Sequence, residues 1–195
     1  MSHRAAAVLL AFALGSCTVT RESSPPRTAT EQLLLSAAAD RAADGLALAI
    51  PAGDRVFVDA SDFEAYDGKY AIGAVKDRLL RRGARLVSSR GEADVVVAVR
   101  SGALSIDQER TLVGLPGFGV PVPLAGTLNI PEVALFKKEV EEGVAKLAAT
   151  GYDARSGSLV DSVGPVFGFS HRIRWVVLLV ISWASDDLTG VAAAR

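Results

Sequence analysis

The sequence predicts an α+β protein: a single domain in which two or three helices pack on a mixed or antiparallel sheet, preceded by a signal peptide and a flexible tether. Three observations lead there. Apolar residues recur at helical spacing in some segments and alternate at strand spacing in others, so both element types share one core. The length, 195 residues, suits one ordinary domain plus a tail. A polar, proline-containing stretch separates an N-terminal apolar run from everything after it, which places boundaries at 1–16, 17–30 and 31–188, with a C-terminal tail over 189–195. Lys plus Arg (21) nearly balance Asp plus Glu (22), so no net field draws the chain to nucleic acid, and no such partner is expected.

"MSHR" supplies a charged start, and Ala5 to Leu14 is an uninterrupted apolar run of ten residues. A membrane-spanning helix needs ~20 residues, whereas a signal-peptide core is shorter, and this run fits the second. Directly after it comes Leu14-Gly15-Ser16-Cys17, the only cysteine in the chain. This tetrapeptide resembles the lipobox of bacterial lipoproteins. The resemblance implies that Leu14, Gly15 and Ser16 are read by the signal peptidase and that Cys17 becomes residue one of the mature chain, carrying diacylglycerol and palmitate-type acyl groups. Two or three such chains anchor a protein stably, since each buried methylene contributes about 0.8 kcal/mol. Thr18 follows in place of aspartate, which by the same resemblance implies sorting to the outer membrane. The lone cysteine also rules out an intramolecular disulfide.

Thr18 to Thr30 reads as the tether. Thr28-x-x-Glu31 fits a capping box that opens a helix ending near Gly45. "DRVFVDA" alternates as a first strand, buried on both faces. Ile72, Val75, Leu79 and Leu80 form the stripe of a second helix; Arg78, Arg81 and Arg82 suit its last turns, with Gly83 at the C-terminal cap. "ARLVSS" and "ADVVVAVRSGALSI" read as two strands, the second bent near Gly102. "GLPGFGVPVPLAGTLNIP" is expected to be an extended loop that holds neither helix nor regular sheet. Residues 133–145 fit either helix or strand, and Lys146 to Tyr152 is expected to be a strand leading into a hairpin around Arg155-Ser156-Gly157. Trp175 to Trp183, apolar and bracketed by tryptophans, is read as a buried central strand in preference to a lipid-facing one, because it lacks polar alternation.

Little in the mature chain suggests chemistry. His171 is its one histidine, no cluster of zinc-ligand type is present, and neither metal nor cofactor is expected. "GFSHR" is the nearest approach to a nucleophile elbow, but Arg172 stands where the second glycine belongs and Ser170 abuts the one available base. Asp59, Asp62, Glu64 and Asp67 cluster without the spacing of a calcium loop and suit a helix N-terminus instead.

The lipobox and tether, a helix ending in "RRGARLV", the strand "EADVVVAVRSG" and the later "LAATGYDARSGSLV" together resemble a group of bacterial outer-membrane lipoproteins. More remotely they are similar to complement-resistance (surface-exclusion) lipoproteins of conjugative plasmids and to curli-secretion channel lipoproteins. No long Gly/Ala-rich segment and no clear pair of amphipathic hairpins is evident, so channel formation is not implied. The expectation is a non-enzymatic envelope protein, lipid-anchored at the outer membrane and facing the periplasm, acting on an envelope protein or polymer. A subunit of an oligomeric secretion or surface-exclusion assembly, including a homo-oligomer, is the alternative. A hydrolase using Ser170 and His171 is the third reading.

Overall fold

Helix α1 (Ala29–Gly45) begins where the capping box places it. The Glu31 amide donates to Thr28 Oγ1 at 3.2 Å, and the Thr28 amide donates to Glu31 Oε2 at 2.7 Å, which satisfies two of the groups a helix start leaves open. This is a computed structural model, and it describes residues 27–65, 67–122 and 126–188. The expected signal segment, Cys17 and the expected C-terminal tail over 189–195 lie outside those residues.

The chain continues through β1 (Arg55–Asp59), α2 (Gly68–Arg81) and the short β2 (Arg85–Leu86), a crossover that returns β2 parallel to β1. Gly83, at φ +93°, ends α2 in the left-handed conformation expected of a C-terminal cap. β3 (Val95–Leu115) pairs parallel to the other side of β1, then runs antiparallel to β6 (Val133–Asp153), which pairs with β7 (Leu159–Val177). β8 (Ile181–Asp186) completes the order β2-β1-β3-β6-β7-β8. The α+β expectation therefore holds, with a curled mixed sheet and two helices among the described residues. The bulge that bends β3 falls at Gly102 as expected, and the β6–β7 turn holds Arg155, Ser156 and Gly157, with Asp153 Oδ1 accepting from the amides of the first two.

Two expectations are corrected and one open alternative is resolved. The supposed loop over Gly114 to Pro131 contains β4 (Phe118–Val122) and β5 (Gly126–Ile130), an antiparallel pair at the end of the β3–β6 ribbon. Pro121 stands opposite Thr127 in this two-stranded ribbon, where each strand has an open side and proline is tolerated. The ambiguous segment 133–145 is wholly strand: at period two, Lys137, Glu139 and Glu141 share one face and Phe136, Val140 and Val144 the other. Finally, Trp175 to Trp183 is no central strand. It reverses direction at residues 178–180, and β8 beyond the turn is an edge strand exposed along its whole length.

Both helices lie on one face of the sheet. Val75 and Leu79 of α2 and Ala38, Ala42 and Ala43 of α1 join Val56, Val58, Val95, Val97, Val99, Ala145 and Leu147 in the core. Leu80, expected on the buried stripe, is half exposed; Ala71 takes its place. α1 approaches β6 and β7 so closely that a Cβ on Gly168 would lie 2.6 Å from the Ala42 nitrogen and against the Ala38 carbonyl oxygen. A Cβ on Gly143 would lie 2.7 Å from the Leu34 oxygen. Ser170, fully buried, fills the remaining space and donates from Oγ to that oxygen at 2.7 Å. Because the obstructing atoms are helix backbone, no rotamer change relieves them. Gly168→Val is expected to destabilise the fold by about 3 kcal/mol or more in urea unfolding, the upper range for core overpacking.

Candidate functional site

Adjacent residues of a strand point to opposite faces, and this decides the first candidate. The Ser170 hydroxyl is committed to the Leu34 carbonyl under α1, whereas His171 lies on the other side of the sheet, half exposed. Its Nδ1 is 3.0 Å from Asp187 Oδ2 and its Nε2 3.5 Å from Glu142 Oε1. The two residues form no nucleophile–base pair.

What His171 does make is a clasp at the sheet edge. β8 stops pairing at Arg172, and beyond it Asp187 Oδ1 accepts the His171 amide at 2.8 Å while its own amide donates to the His171 carbonyl at 3.1 Å. From the other side, Arg41 of α1 donates to Asp187 Oδ2 and to the Asp187 carbonyl, both at 2.7 Å, and to the Phe169 carbonyl. Partial burial opposes ionisation of Asp187, but the His171 and Arg41 hydrogen bonds outweigh it and hold the carboxyl below its ordinary value. Neither Asp187 nor Arg41 carries a sequence signal for this role, which arises where α1, β7 and the end of β8 meet.

The carboxylates over 59–67 do not converge. Asp59 Oδ1 accepts the Ser61 amide at 3.0 Å, and Asp67, in the residue before α2, pairs with Arg27 at 3.2 Å. Among the described residues no three His, Cys, Asp or Glu side chains are grouped as metal ligands. The arginines of α2 are spent locally: Arg78 on Asp44, Arg81 on Asp77 and Arg82 on the Leu48 carbonyl.

Two surfaces remain. A groove of about 420 Å³ runs between the N-terminal turns of the two helices and Leu104 of β3; it is mainly apolar, with Leu33 and Tyr70 at its rim. The Tyr70 hydroxyl donates to Asp40 at 3.0 Å, and partial burial together with that carboxylate pushes its pKa up, so the phenol stays protonated. The second surface is the face of the sheet turned away from both helices. There Phe167 and Phe169 stack with ring centroids 6.1 Å apart, and Trp175 and Trp183, directly paired across β7 and β8, stack at 5.6 Å. Phe167, Phe169, Ile181 and Trp183 stay exposed, because no described helix covers this side.

The model of a family of unknown function, DUF6655, matches residues 11–179. The chain belongs to that family. No curated protein matches the sequence. In this DUF6655 chain the matched span takes in the Leu14 to Cys17 segment, both helices and the sheet as far as the β7–β8 turn. No described helix is long and apolar enough to cross a membrane.

The Asp187 clasp yields a test. Asp187→Asn is expected to cost about 1 kcal/mol, reduced from the full value of charged hydrogen bonds because the site is partly exposed, and to lower Tm by roughly 2–4 °C. A carboxyl whose folded pKa is depressed stabilises fully above its unfolded value, about 3.9, and loses that contribution as pH falls through the folded one. The gap in Tm between wild type and variant therefore closes in acid.

Proposed function

We propose that this chain is a lipoprotein of the bacterial cell envelope, anchored through Cys17 in the outer membrane with its domain facing the periplasm, and that it works by binding an envelope protein or polymer. The observation that carries the reading is Leu14-Gly15-Ser16-Cys17 placed directly after a ten-residue apolar run with a basic start. Binding is favoured over catalysis because Ser170 and His171 face opposite sides of the sheet, while the surfaces that stand open are aromatic and aliphatic.

A second reading, a subunit of an oligomeric envelope assembly, is favoured by β8. It is an exposed edge strand without proline, lysine or bulge to block pairing with another chain, and it borders the uncovered aromatic face.

Mass spectrometry of protein recovered from bacterial membranes tests the anchor. The expected mature chain starts at Cys17, lacks residues 1–16 and carries acyl groups on that cysteine; a soluble product with unmodified Cys17 contradicts it. Crosslinking in intact cells separates the readings of function: the assembly reading predicts a ladder of multiples of the chain, and a strict monomer argues against it.

A further inference from the structure

Between Val177 and Ile181 the chain reverses on Leu178, Leu179 and Val180, where a surface hairpin ordinarily carries Gly, Asn or Asp. Leu178 and Leu179 sit at φ 49° and 67°, a conformation that glycine or asparagine adopts easily and leucine does not. The side chains are exposed, that of Val180 to 83%. In water this turn is unfavourable twice, once in its backbone and once in its surface. A local conflict of this kind points to a compensating interaction outside the fold.

We propose that the β7–β8 turn is a membrane-contact site: Leu178, Leu179, Val180 and Ile181 enter one leaflet of a phospholipid bilayer, with Trp175 and Trp183 at the level of its interface. The stacked tryptophans lie beside the turn, as amphipathic aromatics at a membrane surface do. Backbone groups that enter hydrocarbon must be satisfied from within the protein, and here the Leu178 amide donates to the Leu135 carbonyl at 2.9 Å and the Leu179 amide to the Ala134 carbonyl at 3.1 Å. Residues 175–185 contain no Asp, Glu, Lys or Arg, and neither do residues 111–131 of the neighbouring ribbon.

Charge lies beside this end of the sheet as well as behind it, with Glu132 two residues from Ala134, the acceptor of the Leu179 amide. Arg110, Glu139 and Arg174 lie in register across β3, β6 and β7, with Lys137, Lys138 and Glu132 next to them. With Glu109 beside Arg110 the patch holds four cations against three carboxylates, a small excess of the sign that an anionic headgroup layer attracts. The unpaired edge of β8 limits entry to the turn itself, since deeper burial would strip its backbone groups of water. Pairing of a second copy along β8 would engage residues 181–186 and leave the leucines in water.

The anchor is compatible with the same leaflet. Arg172 donates to Thr30 Oγ1 at 2.6 Å, which fixes the start of α1 about six strand residues, ~20 Å, from Leu178. Arg27 is ten residue steps beyond Cys17, and a chain of that length reaches up to ~35 Å. This last point alone rests on the lipid-anchor reading.

Trp175 and Trp183 are the only tryptophans in the chain, so its intrinsic fluorescence reports on this site. The full-length protein is placed on vesicles of phosphatidylethanolamine and phosphatidylglycerol, with acyl chains either plain or brominated near the carbonyl. Tryptophan emission is expected to shift to the blue and to be quenched by the bromines. The double variant Leu178→Asn, Leu179→Gly suits the turn conformation; it is expected to keep the exciton signal of the tryptophan pair in circular dichroism, to unfold at a higher temperature, and to lose the quenching while an acylated chain still floats with the vesicles. A wild-type chain that floats with vesicles but is quenched no more than on plain lipid overturns the proposal, as does a double variant quenched as strongly as wild type. If Cys17 carries no lipid the anchor reading fails separately: quenching of the unacylated chain on mixing with these vesicles then supports the turn contact, and its absence overturns it.

Discussion

Helix α1 touches β6 and β7 backbone to backbone, and the rest of the structure depends on that contact. Gly143 and Gly168 leave room for the carbonyl groups of Leu34 and Ala38, and Ser170 uses its hydroxyl to meet one of them. The helix answers with small residues, Ala38, Ala39, Ala42 and Ala43, all buried. Close approach maximises dispersion contact across a layer with little bulk in it, which is how a chain with few aromatic residues still forms a dense core. It also makes the register of β6 against β7 non-negotiable, since a one-residue slip would put side chains where the helix backbone lies.

That same contact leaves most of the sheet bare. α1 has 17 residues and is about 25 Å long, whereas β3 and β6 have 21 residues each and reach about 70 Å if extended. Beyond the helix the ribbon holds itself together by cross-strand pairs. Lys137 above all, then Arg174 and Arg110, hold the Glu139 carboxyl below its ordinary value against partial burial, which ties three strands together on the helix side. On the opposite side Val113, Phe136, Val177 and Ile181 line up across four strands with no described helix over them. A protein that ends its sheet in uncharged hairpins has a surface suited to meeting something apolar, and the proposed anchor would hold it where apolar surfaces are found.

The sequence was most readable where one local rule acts alone. Thr28 and Glu31 specify a helix start without help from tertiary structure, and Gly83, Gly102 and the Arg155 to Gly157 turn announce their roles by residue type. It was least readable where a local rule is broken. The β7–β8 turn has two leucines at positive φ and so looks like the continuation of an apolar strand. Val133, Phe136, Val140 and Val144 imitate a helical stripe, although the alternation of Lys137, Glu139 and Glu141 was the signal that mattered. Between Gly114 and Pro131 the prolines masked the alternation of Phe118, Val120 and Val122. The clasp of Arg41, Asp187 and His171 had no signature, because its members are brought together from distant elements by the α1 contact itself.

α1 seals the stretch of sheet around Gly143 and Gly168, and the far end of the other side is proposed to meet lipid. Amide hydrogen exchange of the full-length protein, with and without vesicles, examines both parts in one measurement. Slowest exchange is expected in α1 and in the facing stretches around Gly143 and Gly168, and a vesicle-dependent slowing confined to residues 178–183, with the Arg155 to Gly157 turn at the opposite end unchanged. Fast exchange in α1, or slowing by vesicles at Arg155 to Gly157 instead of the leucine turn, would contradict this expectation.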